Sequence, residues 1–305
     1  MPEERRGFSY GFAAYLIWGL FPLYWKLLDK SGAIELLAHR VLWSLLTIVV
    51  LVLVLRKFGQ VRALLREPRR RWPLIAAAFL ISMNWGTYIW GVGHGRVVET
   101  SLGYFITPLF TVLLGVFVLH ERLRALQWVA LAIAFVAVAG LTIENGRPPW
   151  VAIILTFSFG FYGLAKKQAG AGAIEGMAIE SGTVMPLALA AIVVLGAQGN
   201  ATVTHHGTGY LVLVLLTGPI TAVPLLLFGA AATRVSMTTL GLLNYIAPIM
   251  QFVCGLVIFH ERMTPMRWAG FALVWVALAL FTFDSMHTRR RSIALERAAV
   301  TASAV

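Results

Sequence analysis

The chain has 305 residues, of which 59% are hydrophobic and only 12% are charged, and its mean hydropathy is +0.80. Because soluble domains keep about a quarter of their residues charged, this composition excludes an ordinary soluble protein. A net charge of +12 is also found in nucleic-acid-binding proteins, but here its distribution along the chain indicates membrane topology. The single cysteine, Cys254, excludes an intrachain disulfide and a cysteine-rich metal site.

Apolar segments long enough to cross about 30 Å of hydrocarbon follow one another along the chain. They predict an all-α, polytopic membrane protein with ten transmembrane helices, at residues 8–28, 34–55, 73–93, 98–119, 126–143, 149–165, 173–196, 209–230, 237–259 and 266–283. The first segment is too long for the core of a signal peptide, so we expect it to remain in the mature protein. The spans leave only loops and tails, with no soluble domain of useful size.

Lysine and arginine are concentrated in alternate loops. If the N-terminus is cytoplasmic, most of the 25 basic residues fall on the cytoplasmic side, which is the positive-inside pattern. We therefore predict that both termini are cytoplasmic and that basic residues near the membrane attract anionic lipid headgroups. Residues 285–305 form a basic cytoplasmic tail that we expect to be disordered. Nucleic acid is not an expected partner.

Two segments of the sequence are alike at an offset of 140 residues. Residues 104–128 and 244–268 share isoleucine, proline, glycine and tryptophan at matching positions, and each contains a His-Glu-Arg triplet. The same offset aligns Gly-Ala-Ile-Glu at 32–35 with 172–175. The pattern predicts two copies of one unit, at 8–143 and 149–284. Since each copy holds five spans, the second enters the membrane from the opposite side. Such a 5+5 inverted repeat is typical of transporters that bind substrate near the midplane, at the repeat interface.

Pro108 and Pro248 occupy equivalent positions near the middle of the fourth and ninth spans. Proline removes a helix hydrogen bond and frees carbonyl groups, so we interpret both as kinks that open a helix toward a cavity. A kink required only for packing is the alternative. Polar and aromatic side chains precede each proline, and the candidate substrate-binding residues among them are Tyr104, Thr107, Asn244 and Tyr245.

The third span places Asn84, Trp85 and Tyr88 close together. Asn84 and Tyr88 are separated by four residues and therefore share a helix face. An amide beside aromatic rings can hold an amphiphilic ligand by hydrogen bonding and stacking, so these three residues join the candidate substrate site. Anchoring at the lipid headgroups is the alternative role for the aromatic residues.

Ionisable side chains inside membrane spans are costly and mark candidate functional positions. The candidates for ion or proton handling are Glu35, His39, Arg40, Glu99, Glu175 and Glu180. An ion pair between Arg40 and Glu180 is not expected, because their helices begin at opposite membrane faces and the two side chains lie at different depths. We expect Arg40 to pair with Glu99 instead. The expected partner of Glu180 is one of Lys166, Lys167 and Arg234. Ion pairs that only fix the helix bundle are the alternative to substrate or proton handling.

The two His-Glu-Arg triplets, at 120–122 and 260–262, do not indicate a metal site. Neither has a second histidine at metalloprotease spacing, and the inverted repeat places them on opposite membrane faces. We expect each triplet to separate two helices, with its glutamate favourable in the first turn of the following helix. We predict no catalytic residue, metal or cofactor, since the sequence contains no phosphate-binding loop, nucleophile elbow or catalytic triad motif.

The chain resembles the RarD subgroup of EamA-domain transporters, in the drug/metabolite transporter superfamily. The resemblance lies in ETSLGYFITPLFTVLLGVFVLHERLRALQW at 99–128, AYLIWGLFPLYWKLL at 14–28 and GLLNYIAPIM at 241–250, and it extends from about residue 8 to 284. NWGTYIW at 84–90 and FSFGFYGLAKK at 157–167 also fit it. It implies a ten-helix permease of the bacterial inner membrane, with a cavity lined mostly by the first, third, fourth, sixth, eighth and ninth spans. Gly93 and Thr107 stand where asparagine is common in the subgroup, so the substrate is not carried over.

These features favour a secondary transporter that exports small amphiphilic molecules, such as amino acids, other metabolites or chloramphenicol-like drugs, by alternating access. The alternatives are a membrane-embedded enzyme that uses Glu35, His39 and Arg40, and a passive pore or lipid scramblase. An enzyme needs its acid–base groups at one depth, and a pore predicts flux without saturation or counterflow. The expected partners are a small-molecule substrate and membrane lipid, and energy coupling and oligomeric state stay open.

Overall fold

The structure is a computed structural model that describes residues 3–119, 123–232, 234–235, 239 and 243–303. Its helices, in chain order, are α1 (Glu3–Gly19), α2 (Phe21–Leu27), α3 (Ala33–Val54), α4 (Phe58–Arg66), α5 (Pro68–Gly93), α6 (Val97–Leu119), α7 (Ala125–Asn145), α8 (Trp150–Ala169), α9 (Ala173–Ala197), α10 (Gly207–Ala232), α11 (Ile246–Val253) and α12 (Pro265–Ser303). A short 3₁₀ helix, Val203–His205, precedes α10, and a π-helical turn, Cys254–Ile258, follows α11. The described part of the chain is all-helical and contains no strand.

Seven of these helices are long and apolar enough to cross a membrane: α3, α5, α6, α7, α9, α10 and α12. The prediction of a polytopic all-α protein is therefore confirmed, whereas the count of ten crossings stays a prediction. The remaining predicted spans correspond to shorter or more polar helices. The first is divided between α1 and α2, the sixth is α8 with two lysines at its end, and the ninth contains the short apolar stretch Ile246–Ile258.

The division between α1 and α2 falls at Leu20, two residues before Pro22. Proline has no N–H group and is tolerated in the first turn of a helix, where that group has no helical partner. A new helix that begins at Phe21 therefore accommodates Pro22 without the loss of a helical hydrogen bond.

The last helix, α12, continues to Ser303 and includes most of the segment expected to be disordered. Residues 293–299 read Ile-Ala-Leu-Glu-Arg-Ala-Ala, and most of these are strong helix formers. The segment also follows an established helix directly, so no new nucleation step is required. These sequence features are compatible with a helix here, and the disorder expected for 285–305 stays a prediction.

The chain divides into two compact units. The first unit consists of Met1–Thr107 and Val151–Arg262, and the second of Pro108–Trp150 and Met263–Val305. These boundaries do not coincide with the expected repeats at 8–143 and 149–284, which stay a prediction.

Within the first unit, α3 and α9 pack against each other in opposite directions. Ala38, early in α3, shares a core cluster with Ala188, late in α9. Ile48, late in α3, shares a second cluster with Met177, early in α9. The two helices begin at residues that are related by the 140-residue offset, 33 and 173. Helices at equivalent positions of the repeated sequence are thus antiparallel neighbours.

Within the second unit, α7 and α12 are paired in the same way. An ion pair of 2.5 Å joins Arg124, just before α7, to Asp284 in α12. At the other end of the pair, the hydroxyl of Thr264, just before α12, donates to the carboxylate of Glu144. Applying the offset of 140 to the first pair of positions gives the second pair, so the two contacts are related by the sequence repeat.

Candidate functional site

Asn84 of α5 joins three helices of the first unit. Its side chain is only 1% exposed, and its Nδ2 atom donates to the carbonyl of Leu155 at 3.1 Å and to the hydroxyl of Ser158 at 2.9 Å, both in α8. The hydroxyl of Tyr104, in α6, donates to Oδ1 of Asn84 at 3.0 Å. Two predicted site residues, Asn84 and Tyr104, are therefore in direct contact, and the amide fixes the position of the phenol.

Aromatic side chains surround this polar contact. The ring of Tyr88 lies 5.8 Å from that of Tyr104, and Phe159 of α8 packs edge-on against Tyr104 at 6.0 Å. Tyr88 is buried, yet its hydroxyl has no hydrogen-bond partner among the described residues. Phe159 and Ser158 were not among the predicted site residues. The segment FSFGFYGLAKK, which fits the family pattern, was the only signal for them.

Thr107 and Gly103 bring α6 and α8 into close contact. The hydroxyls of Thr107 and of Thr156, in α8, both donate to the carbonyl of Gly103, at 2.8 and 2.9 Å. A Cβ atom at position 103 would lie 2.9 Å from the carbonyl oxygen of Ala152. The hydroxyl of Thr107 therefore bonds the backbone of its own helix, and this predicted site residue is buried.

The two predicted kinks differ in the structure. Pro108 lies inside α6, as expected, and leaves the carbonyl of Tyr104 without its usual helical donor. Pro248 instead lies in the first turn of α11, and half-buried Asn244 and Tyr245 form the turn just before that helix. The proline ring would clash with the carbonyl of the residue four positions earlier, which is Asn244. The helix therefore begins after that residue instead of bending around it.

Arg40 of α3 is surrounded by aromatic rings. Its guanidinium carbon lies 3.9 Å from the ring centroid of Trp85, 5.2 Å from that of Trp25 and 5.8 Å from that of Phe21. The residue is 4% exposed, and its Nε atom has no hydrogen-bond partner in the described part of the chain. Trp85 was a predicted substrate residue, whereas Trp25 and Phe21 were not predicted.

The predicted pairing of Arg40 with Glu99 is wrong. Glu99 accepts the backbone N–H of Val151, in the first turn of α8, at 3.0 Å, and it lies 3.4 Å from Arg96. A carboxylate at a helix N-terminus is stabilised by the unpaired N–H groups there. The position of Glu99 in its predicted span placed it near the membrane depth of Arg40. The sequence did not indicate that the N-terminus of α8 competes for the same carboxylate.

Glu35 and the two carboxylates of α9 also have partners. Glu35 accepts the backbone N–H groups of Thr202 and Val203 at 2.8 and 3.0 Å, at the start of the 3₁₀ helix. Glu180 pairs with Lys166 at 2.7 Å, as predicted, and Glu175 pairs with Lys57 at 2.5 Å.

His39 is half-buried, and its Nδ1 atom has no hydrogen-bond partner among the described residues. Glu35 accepts hydrogen bonds from the segment before α10, whereas Arg40 makes cation–π contacts with aromatic rings. The groups proposed for an acid–base cluster thus contact different elements.

The glutamate of the second His-Glu-Arg triplet binds the N-terminus of a helix other than the expected one. The Glu261 carboxylate accepts the backbone N–H groups of Val97 and Val98, the latter at 3.0 Å, at the start of α6. The predicted structural role at a helix N-terminus is found, but the helix is α6 and not the following helix, α12. The first triplet, at 120–122, lies outside the described residues.

Known proteins resemble this chain over nearly its whole length. Residues 5–143 match the EamA-like transporter family. The RarD protein of Streptomyces exfoliatus is 52% identical over 300 residues, which cover 98% of this chain and 95% of the relative. The chain belongs to the RarD group of the EamA-like transporter family. An uncharacterized transporter of Bacillus subtilis (strain 168), YojE, is 39% identical to this RarD-group chain over 293 residues, covering 95% of it and 98% of YojE.

The fold is also shared with a solved structure. A crystal structure at 18% sequence identity superimposes with a TM-score of 0.58, covering 91% of this chain and 97% of that chain. Membership of the EamA-like family makes this protein a multi-pass membrane transporter of bacteria, with a small-molecule substrate.

Proposed function

We propose that this protein is a secondary transporter that exports small amphiphilic organic molecules by alternating access. Amino acids, other metabolites and chloramphenicol-like drugs are the substrate classes to which the proposal extends. The proposed location is the bacterial inner membrane with both termini in the cytoplasm, because that orientation puts most basic residues inside.

The observation that carries this proposal is the antiparallel packing of repeat-equivalent helices. The antiparallel pairing of α3 with α9, and of α7 with α12, supports the proposal that two copies are inserted in opposite directions. In an inverted repeat, exchanging the conformations of the two copies converts a state open to one side into a state open to the other. We propose that this protein uses such an exchange for alternating access.

The proposed substrate site lies in the first unit, around Asn84, Trp85, Tyr88 and Tyr104. The side chains there combine aromatic faces with hydrogen-bonding groups, which suits a ligand that is partly apolar and partly polar. We propose Thr107, Asn244 and Tyr245 as further lining residues. Asn244 and Tyr245 belong to this proposal because they form the turn just before α11, where backbone groups lack helical partners.

Counterflow into proteoliposomes tests this function directly. Vesicles loaded with an unlabelled compound should accumulate the labelled compound transiently and saturably. The panel contains aromatic amino acids, other amino acids and chloramphenicol. Tyr88→Phe removes only the buried hydroxyl without a partner, so we expect weaker binding with unchanged or slightly higher stability.

Tyr210→Phe is the matched control. The hydroxyl of Tyr210 donates to the carbonyl of Leu28 at 2.8 Å and contacts the Ser31 hydroxyl at the same distance. Its removal should lower the melting temperature and leave substrate affinity unchanged. Flux without saturation or counterflow would indicate a pore or scramblase instead, and chemical conversion of a compound would indicate an enzyme. No flux of any compound by folded protein argues against transport.

A further inference from the structure

Arg40 carries a buried positive charge that the described part of the protein does not neutralise. Burial of a charge without a partner is costly, and ionisable residues in membrane segments mark candidate positions on the path of a substrate or ion. The ring of Trp85, 3.9 Å from the guanidinium carbon, supplies a cation–π contact. That contact offsets part of the cost, but the Nε–H of the guanidinium has no acceptor among the described residues.

Three of the candidate carboxylates inside the predicted spans are bound elsewhere. Glu99 binds the N-terminus of α8, Glu35 binds the segment before α10, and Glu180 binds Lys166. The titratable groups that interact with Arg40 electrostatically are the phenols of Tyr24, Tyr88 and Tyr104. None of these is an anion at neutral pH.

The sequence repeat shows how this imbalance arises. Lys166 and Glu180 form an ion pair in the second copy. The positions equivalent to these in the first copy are Lys26 and Arg40, so two cations replace the pair. Lys26 pairs with Asp29 at 2.8 Å. The anion that the second copy supplies from its own chain has no counterpart beside Arg40.

Neighbouring polar groups add further hydrogen-bond donors. The indole Nε1 of Trp25, whose ring faces Arg40, and the hydroxyl of Tyr88 are buried without a hydrogen-bond partner among the described residues. A Trp N–H and a guanidinium can only donate hydrogen bonds, and a Tyr hydroxyl can do so. This combination is complementary to a ligand that brings negatively charged oxygen atoms together with an apolar or aromatic body.

We propose that Arg40, with Trp25, Trp85 and Tyr88, is the subsite for the carboxylate of the transported molecule, and that small aromatic acids are its substrate class. This inference rests on the proposed transport function. The planar guanidinium binds a carboxylate through two parallel hydrogen bonds, while the faces of the tryptophan rings accommodate the aromatic part.

Matched acids and amides test the subsite by isothermal titration of the purified full-length protein in detergent. The probes are benzoate, phenylacetate and indole-3-acetate, each with its primary amide, which keeps the shape and removes the charge. We expect at least one acid to bind about tenfold or more tightly than its amide, since hydrogen bonds to charged groups are the stronger ones. Arg40→Gln should reduce the acid's affinity to that of the amide and leave the amide's affinity unchanged.

Two further variants make the result independent of damage to the fold. Arg40→Lys keeps the charge and loses the paired geometry, so it should keep only part of the preference for the acid. Arg71→Gln removes a half-buried arginine whose guanidinium carbon lies 5.3 Å from the ring centroid of exposed Trp72, and it should leave the preference intact. Absence of acid binding, or equal affinity of wild-type protein for acid and amide, overturns the proposal. So does a preference that survives in folded Arg40→Gln, since Arg40 would then act only in packing.

Counterflow of the same probes separates this inference from the transport function. Saturable transport of neutral compounds without any preference for acids would support the transport function and overturn the proposed carboxylate subsite. Acid binding that depends on Arg40, without transport of any compound, would support the carboxylate site and overturn the transport function.

Discussion

At the scale of single residues, the candidate site depends on how Asn84 is bonded. Both donors of its amide and its acceptor oxygen are used, by Leu155, Ser158 and Tyr104. A fully bonded buried amide has a fixed orientation, and it transmits that orientation to the Tyr104 hydroxyl. Asn84 therefore positions a site residue and links α5, α6 and α8 at the same time.

Replacing Asn84 with alanine should destabilise the protein by about 1–3 kcal/mol, because buried polar groups lose their partners. The melting temperature in detergent measures this loss. Asn200→Ala is the control, since Asn200 is exposed and its amide bonds only the nearby Gln198. An equal effect of the two substitutions would contradict the linking role.

The sequence singled out candidate residues for this site but did not predict all of their partners. Asn84, Trp85, Tyr88 and Tyr104 could be singled out because amides and aromatic rings are conspicuous inside apolar spans. The partners depend on the rotation and spacing of neighbouring helices, which hydropathy does not specify. This is why the expected contact between Arg40 and Glu99 was wrong.

At the scale of helices, close contact between α6 and α8 is possible because position 103 has no side chain. The carbonyl of Gly103 accepts two threonine hydroxyls, one from each helix. Small residues at helix contacts in membranes allow backbones to approach and form such hydrogen bonds.

The substitution Gly103→Ala should separate α6 from α8 and cost about 1–3 kcal/mol, as overpacking commonly does. The new Cβ atom would meet the backbone of Ala152 at 2.9–3.0 Å, and backbone cannot rotate away as a side chain can. We expect a lower melting temperature in detergent. Gly163→Ala, in α8, is the matched control, because nothing lies within 4 Å of its added Cβ and alanine favours the helix by up to about 1 kcal/mol. Unchanged stability of the Gly103→Ala protein would show that the two helices do not require this contact.

The paired prolines show a second limit of sequence repeats. Pro108 and Pro248 are equivalent in sequence, yet one lies inside a long helix and the other in the first turn of a short one. Proline can be accommodated by bending a helix or by beginning a new one. The choice depends on the surrounding packing, so equivalent prolines need not produce equivalent kinks.

At the scale of the whole molecule, the charge distribution makes the topology testable. The segment between α3 and α5 is rich in arginine, whereas residues 198–206 contain no lysine or arginine. The positive-inside rule therefore assigns the first of these loops to the cytoplasm and the second to the outer side.

Labelling of single cysteines in intact cells tests this assignment in a Cys254→Ala background. A membrane-impermeant maleimide should label Thr204→Cys in intact cells, and Arg69→Cys only after the membrane is permeabilised. The Cys254→Ala parent controls for labelling of other groups. The reverse pattern would contradict this assignment of the two loops.

The carboxylate of Glu261 has a consequence for biosynthesis. Its acceptor atoms bind the start of α6, at a residue made 164 positions earlier. During translation, the N–H groups of Val97 and Val98 therefore bond water or lipid headgroups while the ribosome completes α7 to α11. A nascent chain that stops after α10 lacks the residue that completes α6. The amino-terminal part of the protein thus reaches its final hydrogen bonding only when most of the polypeptide has been inserted.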